Sequence, residues 1–291
     1  MTGHQTASSI SQSKPVFVGG FYKSGTSLLR ALISQNSNIA GGLETYWFAV
    51  DWDAGKGRGD ESLDAWLDRM AAFFSVDTAK VHEIAGKASS VTEFLDRFMT
   101  HVAEGQGKTR WVEKTSGNCL HGDRILSCWP DAKVINIYRD PRDAYAANLQ
   151  GFRSKGEAPW VENNFVETWM PFITEPAAMR EAGVYTRQNY LEIRYENLVL
   201  DIEGSMKRVA RFIGEEDAES MSHFSGRKED FEKVKKIAGK ESTTLERLSQ
   251  PLTRNRVGIW RDLPEQEIAG LEDAFRSAGI VDLYHAHCFA G

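Results

Sequence analysis

Residues 16–30 combine a short apolar stretch with a turn whose composition suits an anion. The turn carries glycines at positions 19, 20 and 25, one lysine, and hydroxyl side chains at 24, 26 and 27. Glycines let the backbone approach a bound group closely, and the unpaired N–H groups at the start of a helix point toward it. This combination predicts a binding loop for a phosphate or sulfate group.

The loop differs from the P-loop of nucleotide triphosphatases at an essential position. Gly20, Gly25 and Ser27 fit the pattern G-x-x-x-x-G-K-[ST], but Thr26 stands where the P-loop has its lysine. The lysine of this loop is Lys23, two residues before Gly25. In a P-loop the lysine reaches the β- and γ-phosphates while the hydroxyl holds Mg²⁺. The displaced lysine therefore favours a different anion, bound without a metal.

Alternating strand and helix patterns predict the elements that position this loop. Strands are indicated by apolar stretches at residues 15–19, 110–114, 132–138 and 190–195. A helical pattern follows each of them, which predicts an α/β protein with a mainly parallel central sheet and helices on both faces. Helical periodicity at 63–74 and 91–102 indicates a helical insertion over about 51–107.

Three basic residues are predicted to meet at one edge of that sheet. Lys23, Lys114 and Arg139 each lie at or just beyond the carboxyl end of a predicted strand. Ligands of open parallel sheets bind at these strand ends. We therefore expect cations from three separate segments to converge where an anionic ligand would bind.

Three segments resemble motifs of the sulfotransferases that use 3′-phosphoadenosine-5′-phosphosulfate (PAPS) as donor. Residues 20–29 resemble the family's 5′-phosphosulfate loop, 137–143 its 3′-phosphate motif, and 194–198 its R-Y-E-[DN]-L segment. The resemblance implies a P-loop-like fold in a single sulfotransferase domain over 15–291. A polar tail at 1–14 precedes it, and the composition of this tail predicts disorder.

The resemblance also implies donor-binding roles for individual residues. The 5′-phosphosulfate would be cradled by Lys23, Ser24, Gly25, Thr26 and Ser27. Lys23 would in addition neutralise the charge that develops on the leaving phosphate oxygen, without a metal. Arg139 would pair with the 3′-phosphate through its planar guanidinium, and Tyr195 would lie near the adenine.

One donor contact of the family lacks its usual residue. A serine eight residues after the arginine normally binds the 3′-phosphate, but that position is Ala147 here. The adjacent Asn148 is a candidate replacement, although one residue turns a helical side chain by about 100°.

A C-terminal basic segment is the other candidate source of charge. Residues 252–261 loosely resemble the loop that covers PAPS in this family, which predicts a cofactor-covering loop over about 240–262. Arg254 or Arg256 would then supply the charge for the 3′-phosphate. The alternative is an ordinary solvated basic loop.

The general base has to be found separately, because an acceptor hydroxyl holds its proton far above pH 7. The Lys-Thr-His segment of cytosolic sulfotransferases corresponds to 114–116 here, which retains Lys114 but ends in serine. Lys114 would help to hold the sulfuryl group. Glu44 matches the glutamate base of tyrosylprotein sulfotransferases, and neighbouring lysines would keep it ionised. His101 and His121 are the alternative bases.

Bulk composition limits the partners. The 291 residues carry 35 lysines and arginines against 41 aspartates and glutamates, a net charge of −6. This balance argues against nucleic-acid binding, which needs a basic face. The three cysteines and seven histidines lack metal-ligand spacing, and no apolar run approaches the roughly 18 residues of a membrane span. These features predict a cytoplasmic protein without a metal or membrane insertion.

The predicted activity is sulfuryl transfer from PAPS to a hydroxyl, or an amine, of a small-molecule or carbohydrate acceptor. The product would be adenosine 3′,5′-bisphosphate (PAP). Aromatic residues 46–48, beside Glu44, are candidates for the acceptor site. Two other functions stay open: a degenerate P-loop kinase that binds ATP with magnesium, and a regulatory module that binds PAP without catalysis. The sequence leaves the oligomeric state open.

Overall fold

A single parallel sheet forms the centre of the computed structural model, which describes residues 14–153, 158–224, 249–290 and positions 232 and 246. The strands are Val16–Gly19 (β1), Ile39–Gly41 (β2), Arg110–Lys114 (β3), Lys133–Tyr138 (β4) and Tyr190–Arg194 (β5). Their order is β2-β3-β1-β4-β5, and each pairing is parallel. The predicted α/β fold with a parallel sheet is therefore confirmed.

Helices lie between the strands and after the last strand. They are Thr26–Ile33 (α1), Leu63–Phe74 (α2), Thr78–Gly86 (α3), Val91–Gly105 (α4), Gly122–Cys128 (α5), Pro141–Arg153 (α6), Ala158–Trp169 (α7), Pro171–Glu181 (α8), Tyr195–Leu200 (α9), Ile202–Ile213 (α10) and Ala218–Ser222 (α11). Two further helices, Glu265–Ser277 and Val281–His287, lie near the C-terminus. In the described part of the chain, every helix is too short or too polar to cross a lipid bilayer.

Side-chain alternation along β1 builds a core on each face of the sheet. Phe17 packs on one face, with its ring centroid 5.5 Å from that of Trp111 and 5.2 Å from that of Trp129. Val16 and Val18 point to the other face and join the second core. Both faces of the sheet are therefore buried. The loops at its carboxyl edge are left to build a site.

The short strand β2 is the one strand in the described part of the chain that the sequence analysis did not predict. It has three residues and pairs in parallel with β3, so that Ile39 lies opposite Arg110. Lys108 stabilises the turn before it by donating to the carbonyl oxygens of Ser34, Asn36 and Ile39 at 2.9–3.0 Å. A pattern of three residues is too short to indicate a strand when its partner lies about 70 positions further along the chain.

The predicted tail lies outside the described residues, apart from position 14.

Candidate active site

The loop between β1 and α1 is fixed at both ends of its glycine-rich stretch. Gly20 has φ 144°, and its N–H donates to the Ser116 carbonyl at 2.9 Å. A Cβ at this position would lie 2.1 Å from the carbonyl oxygen of Ile137. The loop therefore lies directly against the ends of β3 and β4. Lys23 at its tip has φ 63°, the left-handed conformation that non-glycine residues rarely adopt.

Gly25 makes the close approach of the loop to Tyr195 possible. Its φ is 96°, and a Cβ there would lie 2.5 Å from Cδ2 of the Tyr195 ring. The residue is the N-cap of α1, so the position combines a backbone that favours glycine with a contact that excludes a side chain.

Gly25→Ala is expected to destabilise the protein by roughly 1–3 kcal/mol through backbone strain alone, and to displace Tyr195. Thermal unfolding measures the loss. Gly270→Ala is the matched control, because this exposed helical glycine has open space around it. That variant should gain up to about 1 kcal/mol from helix propensity. Equal melting temperatures for the two variants would contradict the steric argument.

Arg139 connects the loop to two other parts of the chain. Its side chain is buried and donates from Nη1 to the Lys23 carbonyl at 2.9 Å and from Nη2 to the Arg256 carbonyl. The guanidinium carbon also lies 4.5 Å from the centroid of the Tyr195 ring. The buried Nε of Arg139 has no hydrogen-bond partner among the described residues. Arg139 therefore positions the loop, the C-terminal segment and Tyr195 together.

These residues line a cavity of about 350 Å³. We call it the Arg139 cleft, and its lining includes Lys23, Thr26, Ser27, Arg139, Tyr195 and Arg256. The C-terminal segment forms one wall and is held by Asp143, whose carboxylate accepts from the N–H of Gly258 at 2.8 Å and of Trp260 at 3.0 Å. Burial raises the pKa of Asp143, while the nearby Arg139 charge acts in the opposite direction.

A second cavity of about 690 Å³ also borders the loop. We call it the Glu44 cleft, and its lining includes Lys23, Thr26, Ser27, Glu44, Tyr46 and Lys114. Glu44 accepts a hydrogen bond from the Tyr46 hydroxyl and forms an ion pair with the Lys114 ammonium. Burial would raise the pKa of Glu44, but the attraction of Lys114 and these hydrogen bonds hold it below its ordinary value. The carboxylate is thus ionised at neutral pH.

A buried carboxylate that the sequence analysis missed holds the Glu44 segment in place. Glu113 accepts from the Thr45 N–H at 3.2 Å, the Thr45 hydroxyl at 2.8 Å, the Thr115 hydroxyl at 2.7 Å and Asn118 at 2.6 Å. Trp66 donates to the Thr45 carbonyl at 2.8 Å. Burial raises the pKa of Glu113, although these donors oppose the effect. The residues on either side of Thr45 are therefore positioned by a rigid polar network.

The two clefts share a wall. Lys23, Thr26 and Ser27 line both, so the same part of the loop borders the cleft that contains Arg139 and the cleft that contains Glu44. A charged group held by this loop would therefore be reachable from both clefts. Within the ranges described, no group of three or more His, Cys, Asp or Glu residues could hold a metal ion.

Several residues that were predicted to bind the donor do not line the Arg139 cleft. Ser24 is buried, and its N–H donates to the Phe21 carbonyl at 3.1 Å. The Asn148 amide donates to the carbonyls of Tyr22 at 3.3 Å and Ala144 at 2.8 Å, and so supports the loop from behind. Ala147 is the residue of this helix that lines the Arg139 cleft. Of the two C-terminal arginines, Arg256 lines that cleft, whereas Arg254 is exposed.

The structure also places the three candidate bases in different surroundings. Glu44 lines the cleft that contains the loop, whereas His101 lines a different cavity beside Lys80 and Lys108. The His121 ring packs on Phe48 with centroids 4.4 Å apart, and burial lowers the pKa of His121.

Of the aromatic residues beside Glu44, Tyr46 lines the Glu44 cleft, while Trp47 is fully buried in the core. Tyr46 has φ 55°, and burial together with the Glu44 charge raises the pKa of its hydroxyl.

Sequence reasoning also missed the arginines of the Glu44 cleft. Arg30 lies one helical turn after Thr26, a spacing that could have placed it on the loop side of α1. Arg58 and Arg69 come from the segment between β2 and α4, where no pattern in the sequence indicates a site.

The fold and the site together define an architectural class. A parallel sheet with a glycine-bearing loop between its first strand and first helix, and with cations gathered at its carboxyl edge, is a P-loop-like α/β architecture. The profile of the sulfotransferase family matches residues 15–219, and the chain belongs to this family.

Individual relatives agree with this assignment. The chain is 26% identical, over 75% of its length and 67% of the relative's, to the omega-hydroxy-beta-dihydromenaquinone-9 sulfotransferase Stf3 of Mycobacterium tuberculosis. In fold it resembles the sulfotransferase domain of the Synechococcus PCC 7002 olefin synthase, with a TM-score of 0.61 and 15% identity over 91% of this chain and 95% of that one. Mouse sulfotransferase SULT7A1, solved with PAP, gives a TM-score of 0.50 and 15% identity over 96% and 90% of the two chains.

Proposed function

We propose that this sulfotransferase moves the sulfuryl group of PAPS to a hydroxyl, or an amine, of a small-molecule or carbohydrate acceptor. The observation that carries the proposal is the shared wall formed by Lys23, Thr26 and Ser27. A donor bound in the Arg139 cleft would present its reactive end at this wall. An acceptor in the Glu44 cleft would meet it from the opposite side, as in-line displacement requires.

The residues of the Arg139 cleft fit an adenosine 3′,5′-bisphosphate unit. Lys23 and the hydroxyls of Thr26 and Ser27 would hold the 5′-phosphosulfate, and Tyr195 would pack near the adenine. Arg139 and Arg256 would face the 3′-phosphate. The buried Nε of Arg139, which lacks a partner among the described residues, supports an anion there, because a buried charged donor is costly without an acceptor. PAPS as donor is a proposal that family membership favours.

Glu44 and Lys114 would carry out the chemistry on the other side. Glu44 would accept the proton of the acceptor hydroxyl as that oxygen forms its bond to sulfur. The bond from sulfur to the phosphate oxygen would break, and its electron pair would stay on the phosphate of PAP, beside the Lys23 ammonium. Lys114, already paired with Glu44, would help to hold the sulfuryl oxygens. A single domain over 15–291 and a cytoplasmic location also stay predictions.

Thermal unfolding with added ligands tests the donor. At 100 times its Kd a ligand adds about 2.7 kcal/mol of stability, so saturating PAP is expected to raise the melting temperature by roughly 5 °C. Adenosine, which lacks both phosphates, should give a much smaller shift. A larger shift with ATP and magnesium than with PAP would instead indicate a kinase. A PAP shift without transfer to any acceptor would indicate a regulatory module.

A further inference from the structure

The Glu44 cleft is positively charged, unlike the chain as a whole. Its lining contains Lys23, Arg30, Arg58, Arg69 and Lys114, but only two carboxylates, Glu44 and Glu61. Five cations against two anions leave an excess of three positive charges in a protein whose net charge is −6. This local excess is a property of the cleft and would attract an anion into it.

Both carboxylates of the cleft already have a cation. Glu44 pairs with Lys114, and Glu61 accepts from the Nε and Nη2 of Arg69 at 3.0 and 2.9 Å. Arg58 differs from these. Its side chain makes no hydrogen bond or ion pair within the described ranges, and its guanidinium carbon lies 3.8 Å from the centroid of the Tyr46 ring.

Stacking of this kind leaves the guanidinium able to bind a ligand. The guanidinium carbon lies over the Tyr46 ring, and none of the five N–H donors of the group hydrogen-bonds to a described residue. A planar fork of donors matches the oxygens of a carboxylate or a phosphate. Arg58 is exposed at the mouth of the cleft, so an incoming molecule can reach it.

The backbone holds Arg58 in this position. It lies in a turn in which Gly57 N–H donates to the Glu61 carbonyl at 2.8 Å and Glu61 N–H donates to the Arg58 carbonyl at 3.3 Å. Gly57 is packed so closely that a Cβ there would lie 2.8 Å from the Cβ of Trp66. The turn is thus anchored to the core beside the network that positions Glu44.

Arg58 is separated from the candidate base by one tyrosine ring. The ring of Tyr46 carries Arg58 on its face, and its hydroxyl donates to Glu44. Tyr22, Leu43 and Phe73 provide apolar surface in the same cleft. A molecule with its reactive hydroxyl at Glu44 and an apolar body along these side chains would therefore bring a further group to Arg58.

We propose that the acceptor is anionic: besides its reactive hydroxyl or amine it carries an oxyanion, a carboxylate or a phosphate, that Arg58 binds at the mouth of the Glu44 cleft. The inference rests on the proposed function, because it names the substrate class of the same site.

Calorimetry on protein saturated with PAP separates this inference from the proposed function. PAP binding, measured first, tests the donor site and occupies it, so that anions cannot bind there. The probes are then 3-(4-hydroxyphenyl)propionate and 4-hydroxybutyl phosphate, each compared with an uncharged counterpart, the methyl ester and 1,4-butanediol. At least one anionic probe should bind about tenfold more tightly than its counterpart, as a hydrogen bond to a charged group provides. The probe that shows this preference distinguishes a carboxylate from a phosphate.

Charge variants then identify the residue responsible. Arg58→Gln should remove most of the preference for the anionic probe, whereas Arg58→Lys should retain a larger part of it. Arg187→Gln, which removes an equally exposed arginine outside the cleft, should leave the preference unchanged. PAP affinity should be the same in all three variants. If PAP binds but both anionic probes bind no more tightly than their counterparts, or if Arg58→Gln keeps the preference, the inference is overturned.

Discussion

Replacement of Glu44 by glutamine is expected to lower the turnover of sulfuryl transfer by about 100- to 10,000-fold, the contribution of a positioned general base. Affinity for PAP should stay unchanged, because Glu44 lines the Glu44 cleft and not the Arg139 cleft. Glutamine keeps the shape of the side chain and can still accept from Tyr46. Steady-state kinetics with labelled PAPS, together with calorimetry of PAP, measures the two quantities separately.

Glu61→Gln is the matched control for this variant. Glu61 lines the same cleft and is paired with Arg69, so its replacement removes an equal charge at a position away from the proposed base. Its effect on turnover should be less than tenfold. Near-normal turnover in Glu44→Gln, or an equal loss in both variants, would remove Glu44 as the base.

The pH dependence distinguishes Glu44 from a histidine base. The attraction of Lys114 holds the pKa of Glu44 below the ordinary value of a glutamate, so the carboxylate stays ionised as the pH falls from 7 to about 5. The value of kcat/KM should therefore remain flat over that range. A histidine ordinarily gains its proton near pH 6.5, and burial lowers the pKa of His121, so with His121 as the base kcat/KM would fall at a pH below that value.

Local sequence patterns were sufficient for those parts of the fold whose signals are local. The helix at Leu63–Phe74 begins after Ser62, whose side chain accepts from the Ala65 N–H, and α10 ends at Gly214 with φ 75°. Such caps lie beside the elements that they terminate, so a single sequence displays them. The strand at Ile39–Gly41 has no such signal, because only its pairing with β3 makes it a strand.

The residues of the site also differ in whether their roles can be read from nearby sequence or depend on distant contacts. Lys23, Thr26 and Ser27 belong to one short motif and were predicted from it. Lys114 was predicted from its place at the end of a strand, and Glu44 through resemblance. Glu113 was missed because its role depends on Thr45, 68 positions away, and a buried glutamate in a strand has no distinctive pattern. The orientation of Asn148 also depends on tertiary contacts, since its amide is used on the carbonyl of Tyr22.

The conformation of Lys23 leads to a prediction in which stability and activity separate. A non-glycine residue with left-handed backbone angles is disfavoured by roughly 1–2 kcal/mol, and Lys23 has φ 63°. Lys23→Gly relieves that strain. Glycine destabilises the folded state by roughly 0.5–1 kcal/mol in turn, because the unfolded chain gains entropy. The variant should therefore be as stable as the parent or more stable by up to about 1.5 kcal/mol.

Transfer should nevertheless fall by about 100- to 1,000-fold in Lys23→Gly, because the cation that meets the developing charge on PAP is gone. Ser75→Gly is the matched control: Ser75 has φ 54° at the end of α2 and lies outside both clefts, so its replacement should relieve similar strain and leave transfer unchanged. Chemical unfolding and turnover of the same preparations measure both effects. A strained lysine that can be replaced without loss of activity would show that the loop keeps this conformation for some reason other than chemistry. Loss of transfer together with undiminished stability would mean that the strain is retained for the charge that it positions.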